Sequence, residues 1–164
     1  MASSRVAGSR INYCEETLLS GHSFYLMLGE EAGVRALVDR FYELMDAQPD
    51  VATIRAMHPA DLSRSRDRLS KFLCGFFGGP ALYQEEFGPP MLRARHLPFA
   101  IGAAERDQWL QCMEQALDEQ LDDKFVRDQM KTSFRRTAHH MINQVGTEAD
   151  VGNWPAPAQD QSDS

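Results

Sequence analysis

The sequence predicts an all-α protein. Apolar residues recur at spacings of three and four over several long stretches, which is the period of an amphipathic helix. No stretch alternates apolar and polar residues with the period of two that a half-buried strand requires. Glycine and proline fall between the periodic stretches, and a length of 164 residues suits one domain. We therefore expect about five or six helices, several of them short, packed around one core.

Composition divides the chain into three regions. Residues 1–22 are rich in serine and glycine and are interpreted as a flexible N-terminal extension. Residues 23–148 carry the helical periodicity and form the expected domain. Residues 149–164 are rich in proline, aspartate and glutamine, which is typical of a disordered tail.

The clearest helix pattern covers residues 30–47. Two glutamates stand in its first turn, where the helix dipole favours acids, and Pro49 follows its end. Residues 51–60 are expected to be a short connector. Asp61 or Ser63 can then cap a second helix, which Gly78-Gly79-Pro80 ends.

The second half of the chain holds three further helical patterns. Residues 80–90 are expected to be a loop, because Gly88-Pro89-Pro90 cannot continue a helix. A short helix should follow and carry His96. Two longer helices are predicted at about 103–118 and 122–144.

The chain around His96 suits a metal ligand. Pro98 lacks a backbone N–H and biases the residue before it away from helix, so any helix that carries His96 should end almost at once. An imidazole on a last turn, with apolar residues after it and Arg95 beside it, suits a ligand to a buried iron. The alternative is a core or surface histidine that happens to precede a proline, which is the commoner case for such a stretch alone.

Charge and cysteine content exclude several classes of protein. A net charge of −7 argues against a nucleic-acid-binding protein, since the phosphate backbone selects basic surfaces. No apolar run has membrane-spanning length, so no membrane association is expected. The three cysteines are too few and too scattered for a disulfide framework. This usage fits a reducing compartment, and we expect a cytoplasmic protein.

Several short motifs resemble one known family when their order and spacing are taken together. The motifs are Phe41-Tyr42, Phe72-Leu73, residues 76–80, Leu92-Arg-Ala-Arg-His-Leu-Pro-Phe and Glu105-Arg-Asp-Gln-Trp-Leu. Together they resemble the truncated haemoglobins, and those around Trp109 and His96 are similar to the second group of that family. The resemblance implies a shortened globin fold over residues 23–148, a 2-on-2 helical sandwich that encloses haem b.

The resemblance also implies roles for individual residues. His96 would be the proximal iron ligand and Arg95 a partner of a haem propionate. Tyr42, His58 and Trp109 would carry the chemistry of the distal side. The other residues in cofactor-contacting positions are Ser65, Arg68, Leu69, Phe72, Phe76 and Tyr83.

The residue types agree in part with those roles. Tyr42 and Trp109 lie on apolar helix faces, and each carries a donor that needs a buried partner, such as a bound diatomic ligand. Ordinary core residues remain the alternative for both. His58 stands where the family usually has phenylalanine or tyrosine, which adds a group that titrates near neutrality. Neutral His58 could accept the Tyr42 proton and make Tyr42 a sixth ligand to ferric iron; the alternative is a His58 that points to solvent.

These expectations define a function. Two charge-assisted hydrogen bonds would slow the release of a bound ligand too strongly for oxygen transport. We expect redox or detoxification chemistry of O2, NO or peroxide, peroxidase-like or as an NO dioxygenase, with CO as a further ligand and a reductase as partner. A homodimer is one expected oligomeric state. The alternatives are a haem-based gas or redox sensor and a haem-free helical interaction module.

Overall fold

The computed structural model describes residues 22–144, and all of its regular elements are helical. The expected tail, residues 149–164, and all but the last residue of the expected extension lie outside this range. A 3₁₀ turn covers Pro49–Val51. The helices are α1 (His22–Leu28), α2 (Glu30–Ala47), α3 (Ala52–Ala56), α4 (Ser63–Phe76), α5 (Leu82–Phe87), α6 (Leu92–His96), α7 (Ala103–Gln120) and α8 (Lys124–His140).

The four long helices form two packed pairs. α2 packs on α4, α7 packs on α8, and α2 also packs on α7, which joins the pairs into one core. Each long helix presents an apolar stripe at helical spacing, so their packing removes those stripes from water. The core includes fully buried Phe41, Leu73, Met113 and Phe134, one from each helix. This two-on-two arrangement is the architecture that the family resemblance implies.

The patterns for the long helices predicted their positions closely. α2 has the predicted bounds. α4 begins at Ser63, where the Asp61 carboxylate accepts hydrogen bonds from the Ser63 N–H at 2.9 Å and its hydroxyl at 2.7 Å. α8 begins two residues later than expected, because Asp123 caps it by accepting from the Val126 N–H at 3.1 Å.

Two segments expected to be irregular contain short helices. Residues 51–60 include α3, and residues 80–90 include α5, so the prediction of a connector and a loop was wrong there. Helices of five or six residues are too short to show a period in the sequence and are marginal alone. Contact with the core stabilises them: Ile54 of α3 and Tyr83 of α5 are both buried.

α6 ends at His96, as the proline at position 98 predicted. It is only five residues long, and none of its side chains is fully buried. Met91 precedes it with φ 44° and ψ 51°, the left-handed region that non-glycine residues rarely adopt. The helix therefore begins after a sharp turn and carries no apolar stripe of its own.

Within residues 22–144, no helix is long and apolar enough to cross a membrane.

The corner between α1 and α2 generates a stability prediction at Gly33. A Cβ atom at Gly33 would stand 1.8 Å from the carbonyl oxygen of Leu28, so the backbones must separate to admit it. Glycine-to-alanine changes inside helices usually stabilise by about 1 kcal/mol. We expect Gly33→Ala to destabilise instead, by about 2 kcal/mol or more as an overpacking change.

The measurement is thermal or urea unfolding of Gly33→Ala. The control is Ala36→Gly, which changes an exposed position of the same helix. That control should lose about 1 kcal/mol through helix propensity alone. A Gly33→Ala protein as stable as wild type would contradict the close approach.

Candidate functional site

One cavity of about 530 Å³ lies where the two helical pairs meet the short helices, within the size range of small-molecule sites. Every residue that the sequence singled out as a site residue lines it. The chain brings them together from five helices and from the segment just after α3. They are Tyr42, His58, Ser65, Arg68, Leu69, Phe72, Phe76, Tyr83, Arg95, His96 and Trp109.

His96 reaches the cavity with its tautomer fixed. Its Nδ1 lies 2.6 Å from the carbonyl oxygen of Leu92, one turn earlier in α6. A carbonyl oxygen only accepts, so Nδ1 must carry the proton and donate. The neutral ring then has its lone pair on Nε2, the nitrogen that a metal would take.

Tyr42 is enclosed, and its hydroxyl has a protein partner. Only 4% of the residue is exposed, and this burial raises its pKa well above the usual value of 10.0. A hydrogen bond with the Ser65 hydroxyl and the nearby charge of Arg66 oppose that shift only in part. Tyr42 therefore stays protonated at neutral pH and can act as a donor.

Trp109 packs against other aromatic side chains between the cavity and the core. Its ring centroid lies 5.1 Å from that of Phe41 and 5.6 Å from that of Phe134. Phe76 stacks on Phe134 with centroids 5.1 Å apart and planes 22° from parallel. Such packing lines this side of the cavity with apolar aromatic rings.

His58 faces the cavity, not solvent. Its Nδ1 lies 2.7 Å from the Ile54 carbonyl oxygen and must donate to it, and its ring meets Tyr42 edge-on with centroids 5.8 Å apart. Burial lowers its pKa below 6.5, and the positive charge of Arg55 adds to that shift. The structure thus pairs Tyr42 with Ser65 and His58 with a backbone carbonyl, whereas the sequence had suggested a pairing between Tyr42 and His58.

Two cavity arginines make no ion pair with any carboxylate among the described residues. Arg68 lies over the Phe87 ring at 5.1 Å, and its buried Nε has no hydrogen-bond partner. Arg95 lies over the Tyr83 ring at 5.7 Å and is exposed. A buried unpaired N–H of a cation is costly, so an anionic group of a ligand would be favoured here. The family resemblance implied Arg95 as a propionate partner and Arg68 only as a residue in a cofactor-contacting position, but burial makes Arg68 the better-placed cation.

Other lining residues were not predicted as site residues. Phe134 and Thr137 on α8, with Met141 just beyond it, line the cavity together with Arg106 of α7. The signal for the first three was present, since they recur at spacings of three and four on one helix face. No local signal distinguishes Arg106 from a surface arginine.

Comparison with known proteins identifies the fold. The family model described as bacterial-like globin matches residues 23–143. The group 2 truncated haemoglobin of Bacillus subtilis is 41% identical over 131 residues, which cover 78% of this chain and 96% of that protein. The chain belongs to the group II truncated haemoglobins.

Solved structures of such globins agree with the architecture. The group II 2-on-2 haemoglobin of Agrobacterium tumefaciens is 48% identical with a TM-score of 0.72, covering 74% of this chain and 95% of that one. The cold-adapted truncated haemoglobin of Pseudoalteromonas haloplanktis is 44% identical with a TM-score of 0.72, covering 74% and 98%. The truncated oxygen-avid haemoglobin of Bacillus subtilis is 39% identical with a TM-score of 0.67, covering 73% of this chain and 98% of that one. The predicted shortened globin fold is therefore confirmed.

The residues present fit a haem. An imidazole with a free Nε2, an apolar aromatic surface and a buried arginine N–H without a partner are what a flat apolar iron complex with carboxylate groups requires. Haem binding is a property of the globin family, and this cavity retains the groups for it.

The environment of His58 predicts a pH dependence of stability. The pKa of His58 in the folded state lies below the ordinary value of 6.5. Between that lower value and about pH 6.5, the unfolded chain therefore binds more protons than the folded chain. Stability should fall as the pH falls through this window, and His58→Phe should lose that part of the slope.

The measurement combines urea unfolding from pH 5 to 8 with an NMR titration of the histidine ring protons. The exposed His140 provides a control signal in the same spectrum. An His58 signal that titrates at or above 6.5 would contradict the buried position.

Proposed function

We propose that this globin binds haem b through His96 and uses it for redox or detoxification chemistry of O2, NO or peroxide, with CO as a further ligand. The single observation that carries the proposal is the His96 ring, whose Nδ1 is bound to Leu92 while the residue lines an apolar cavity. Haem, when bound, supplies an iron centre that takes a diatomic ligand.

His96 would hold the cofactor on one side. Hydrogen bonding of Nδ1–H to a backbone carbonyl places the lone pair of the neutral ring on Nε2 and fixes the orientation of the ring, both of which favour coordination. Arg68 would bond to one propionate through its buried Nε, and Arg95 to the other from the exposed rim. The apolar contacts would come from Leu69, Phe72, Phe76 and Tyr83, with Ser65 beside Tyr42.

Tyr42 and Trp109 would hold the gaseous ligand. Both line the cavity and carry a donor, and the raised pKa of Tyr42 keeps its proton in place. The same raised pKa disfavours the phenolate that a sixth ligand to iron requires, so we assign Tyr42 the role of donor. His58 would be a third donor once it is protonated, on the acid side of 6.5.

Slow ligand release distinguishes this chemistry from transport. Hydrogen bonds to a charged acceptor contribute roughly 1.5–3 kcal/mol each, so two of them slow release by on the order of a hundredfold or more. The oxygen-avid relative from Bacillus subtilis supports the same direction for this chain. A ligand that dissociates so slowly is better suited to reacting in the site than to being transported. A reductase would then restore the ferrous state.

The proximal role of His96 is tested by removing its imidazole. His96→Ala should lose most haem during purification, since the ring is the proposed bond from the protein to iron. The measurements are haem content, the Soret band and the iron–histidine stretching band of the ferrous protein.

The matched control is His140→Ala, which removes an exposed histidine outside the cavity. A His96→Ala protein with wild-type haem content and an unchanged stretching band would exclude His96 as the ligand. Wild-type protein that takes up no haem at all would favour the haem-free interaction module.

The donor roles are tested with Tyr42→Phe and Trp109→Phe. Tyr42→Phe removes one donor and a single oxygen atom, whereas Trp109→Phe removes its N–H donor together with part of the ring system. Oxygen should dissociate at least about tenfold faster from each. Stopped-flow replacement of O2 by CO measures the rate.

Tyr25→Phe serves as the control, because Tyr25 packs against the core outside the cavity lining. Dissociation rates within about twofold of wild type for Tyr42→Phe or Trp109→Phe correspond to less than about 0.5 kcal/mol and would rule out a hydrogen bond from that residue. Turnover with peroxide, or with NO and O2, then separates an enzyme from a sensor.

A further inference from the structure

The helix that carries His96 is held by something other than apolar burial. α6 has five residues, none fully buried, and it follows a left-handed residue, Met91. A single helical turn of this length is not stable by itself in water. Its position must therefore be set by hydrogen bonds to a firmer part of the protein.

Asn143, three residues past the end of α8, bonds to the end of α6 and to the loop that follows it. Its side-chain Nδ2 donates to the His96 carbonyl oxygen at 3.2 Å and to the Phe99 carbonyl oxygen at 2.7 Å. Its Oδ1 accepts from the Ile101 N–H at 3.0 Å, and its own backbone N–H donates to the Ile101 carbonyl oxygen at 2.9 Å. One residue thus bonds to both ends of the loop that follows His96.

A second link joins the same two segments. The Arg93 guanidinium donates through one nitrogen to the carbonyl oxygens of His140 at 2.6 Å and of Ile142 at 3.2 Å. Arg93 is the second residue of α6, so the helix is held near its start as well as at its end. Both links lead to the C-terminal end of α8, a long helix anchored in the core.

We propose that Asn143 is a positioning residue for the proximal histidine. By its bond to the His96 carbonyl and its bonds to the loop behind it, Asn143 sets where α6 ends before haem arrives. The position of α6 in turn sets the Leu92 carbonyl, which orients the His96 ring. This proposal rests on the proposed function, since it needs His96 as the iron ligand.

The chemistry of the side chain explains why asparagine is suited to this place. The amide offers two N–H donors and one acceptor oxygen in a plane, and all three are used by backbone groups of residues 96–101. Aspartate has the same shape and keeps the acceptor for Ile101 but loses both donors. It also sets a negative charge against two carbonyl oxygens, so Asn143→Asp is the most selective change.

The experiment compares haem-loaded wild type with Asn143→Asp and with the matched control His140→Gln. The control alters an exposed side chain nearby and keeps the backbone carbonyl that Arg93 uses. We expect haem to transfer to an excess of apomyoglobin about tenfold faster from Asn143→Asp, and its iron–histidine stretching band to shift and broaden. The control should match wild type in both measurements.

Two further measurements keep the proposal falsifiable. Arg93→Gln removes the second link and should change the same band if Asn143→Asp does not fold. In haem-free protein, Asn143→Ala should speed hydrogen exchange at the Ile101 amide, a measurement that does not depend on haem.

The outcomes separate the two proposals. Haem uptake by wild type, with unchanged haem loss and an unmoved stretching band in Asn143→Asp, overturns the positioning role alone. A lower unfolding temperature with an unmoved band also overturns it, because the residue would then only stabilise the fold. Wild type that takes up no haem overturns the proposed function and the positioning role with it, whatever the exchange rate at Ile101.

Discussion

The hydrogen bond from His96 Nδ1 to the Leu92 carbonyl is the interaction on which the site depends. It fixes the neutral tautomer and leaves Nε2 as the only ring nitrogen free for another partner. The bond is local to α6, but α6 is too short and too exposed to hold its place alone. The orientation of the ring is therefore set by bonds that reach it from the C-terminal end of α8, while the long helices shape the cavity that it lines.

The cavity combines an apolar wall with two cations that lack acidic partners. The chain has a net charge of −7, and most described basic residues pair with carboxylates on the surface, as Arg40 does with Glu119 and Lys131 with Asp118. Arg68 and Arg95 differ, since each lies over an aromatic ring and makes no such pair within residues 22–144. Desolvation strengthens any bond that the buried Nε of Arg68 makes, so the charge distribution favours an anionic ligand at the cavity although the whole chain is acidic.

Burial also shifts the pKa values of Tyr42 and His58, two titratable groups of the cavity, in opposite directions. The enclosed Tyr42 has its pKa raised and keeps its proton, whereas the half-buried His58 has its pKa lowered and loses its proton more readily. At neutral pH Tyr42 is therefore a donor, and His58 donates from Nδ1 only to the Ile54 carbonyl. In the proposed haem site, Tyr42 and Trp109 would then supply donors near neutrality, and a cationic His58 imidazole would add a donor only in acid.

The sequence alone determined the long helices and the place of His96. The apolar period of α2 and the proline after His96 act over a few residues, so both were readable without coordinates. The family motifs predicted the remaining site residues, and all of them line one cavity. Only the tertiary structure decided the short helices α3 and α5, the pairing of Tyr42 with Ser65, the burial of Arg68 and the bonds of Asn143. Each of these depends on contacts between residues distant in the chain, where burial and hydrogen bonding, which no local pattern encodes, set the outcome.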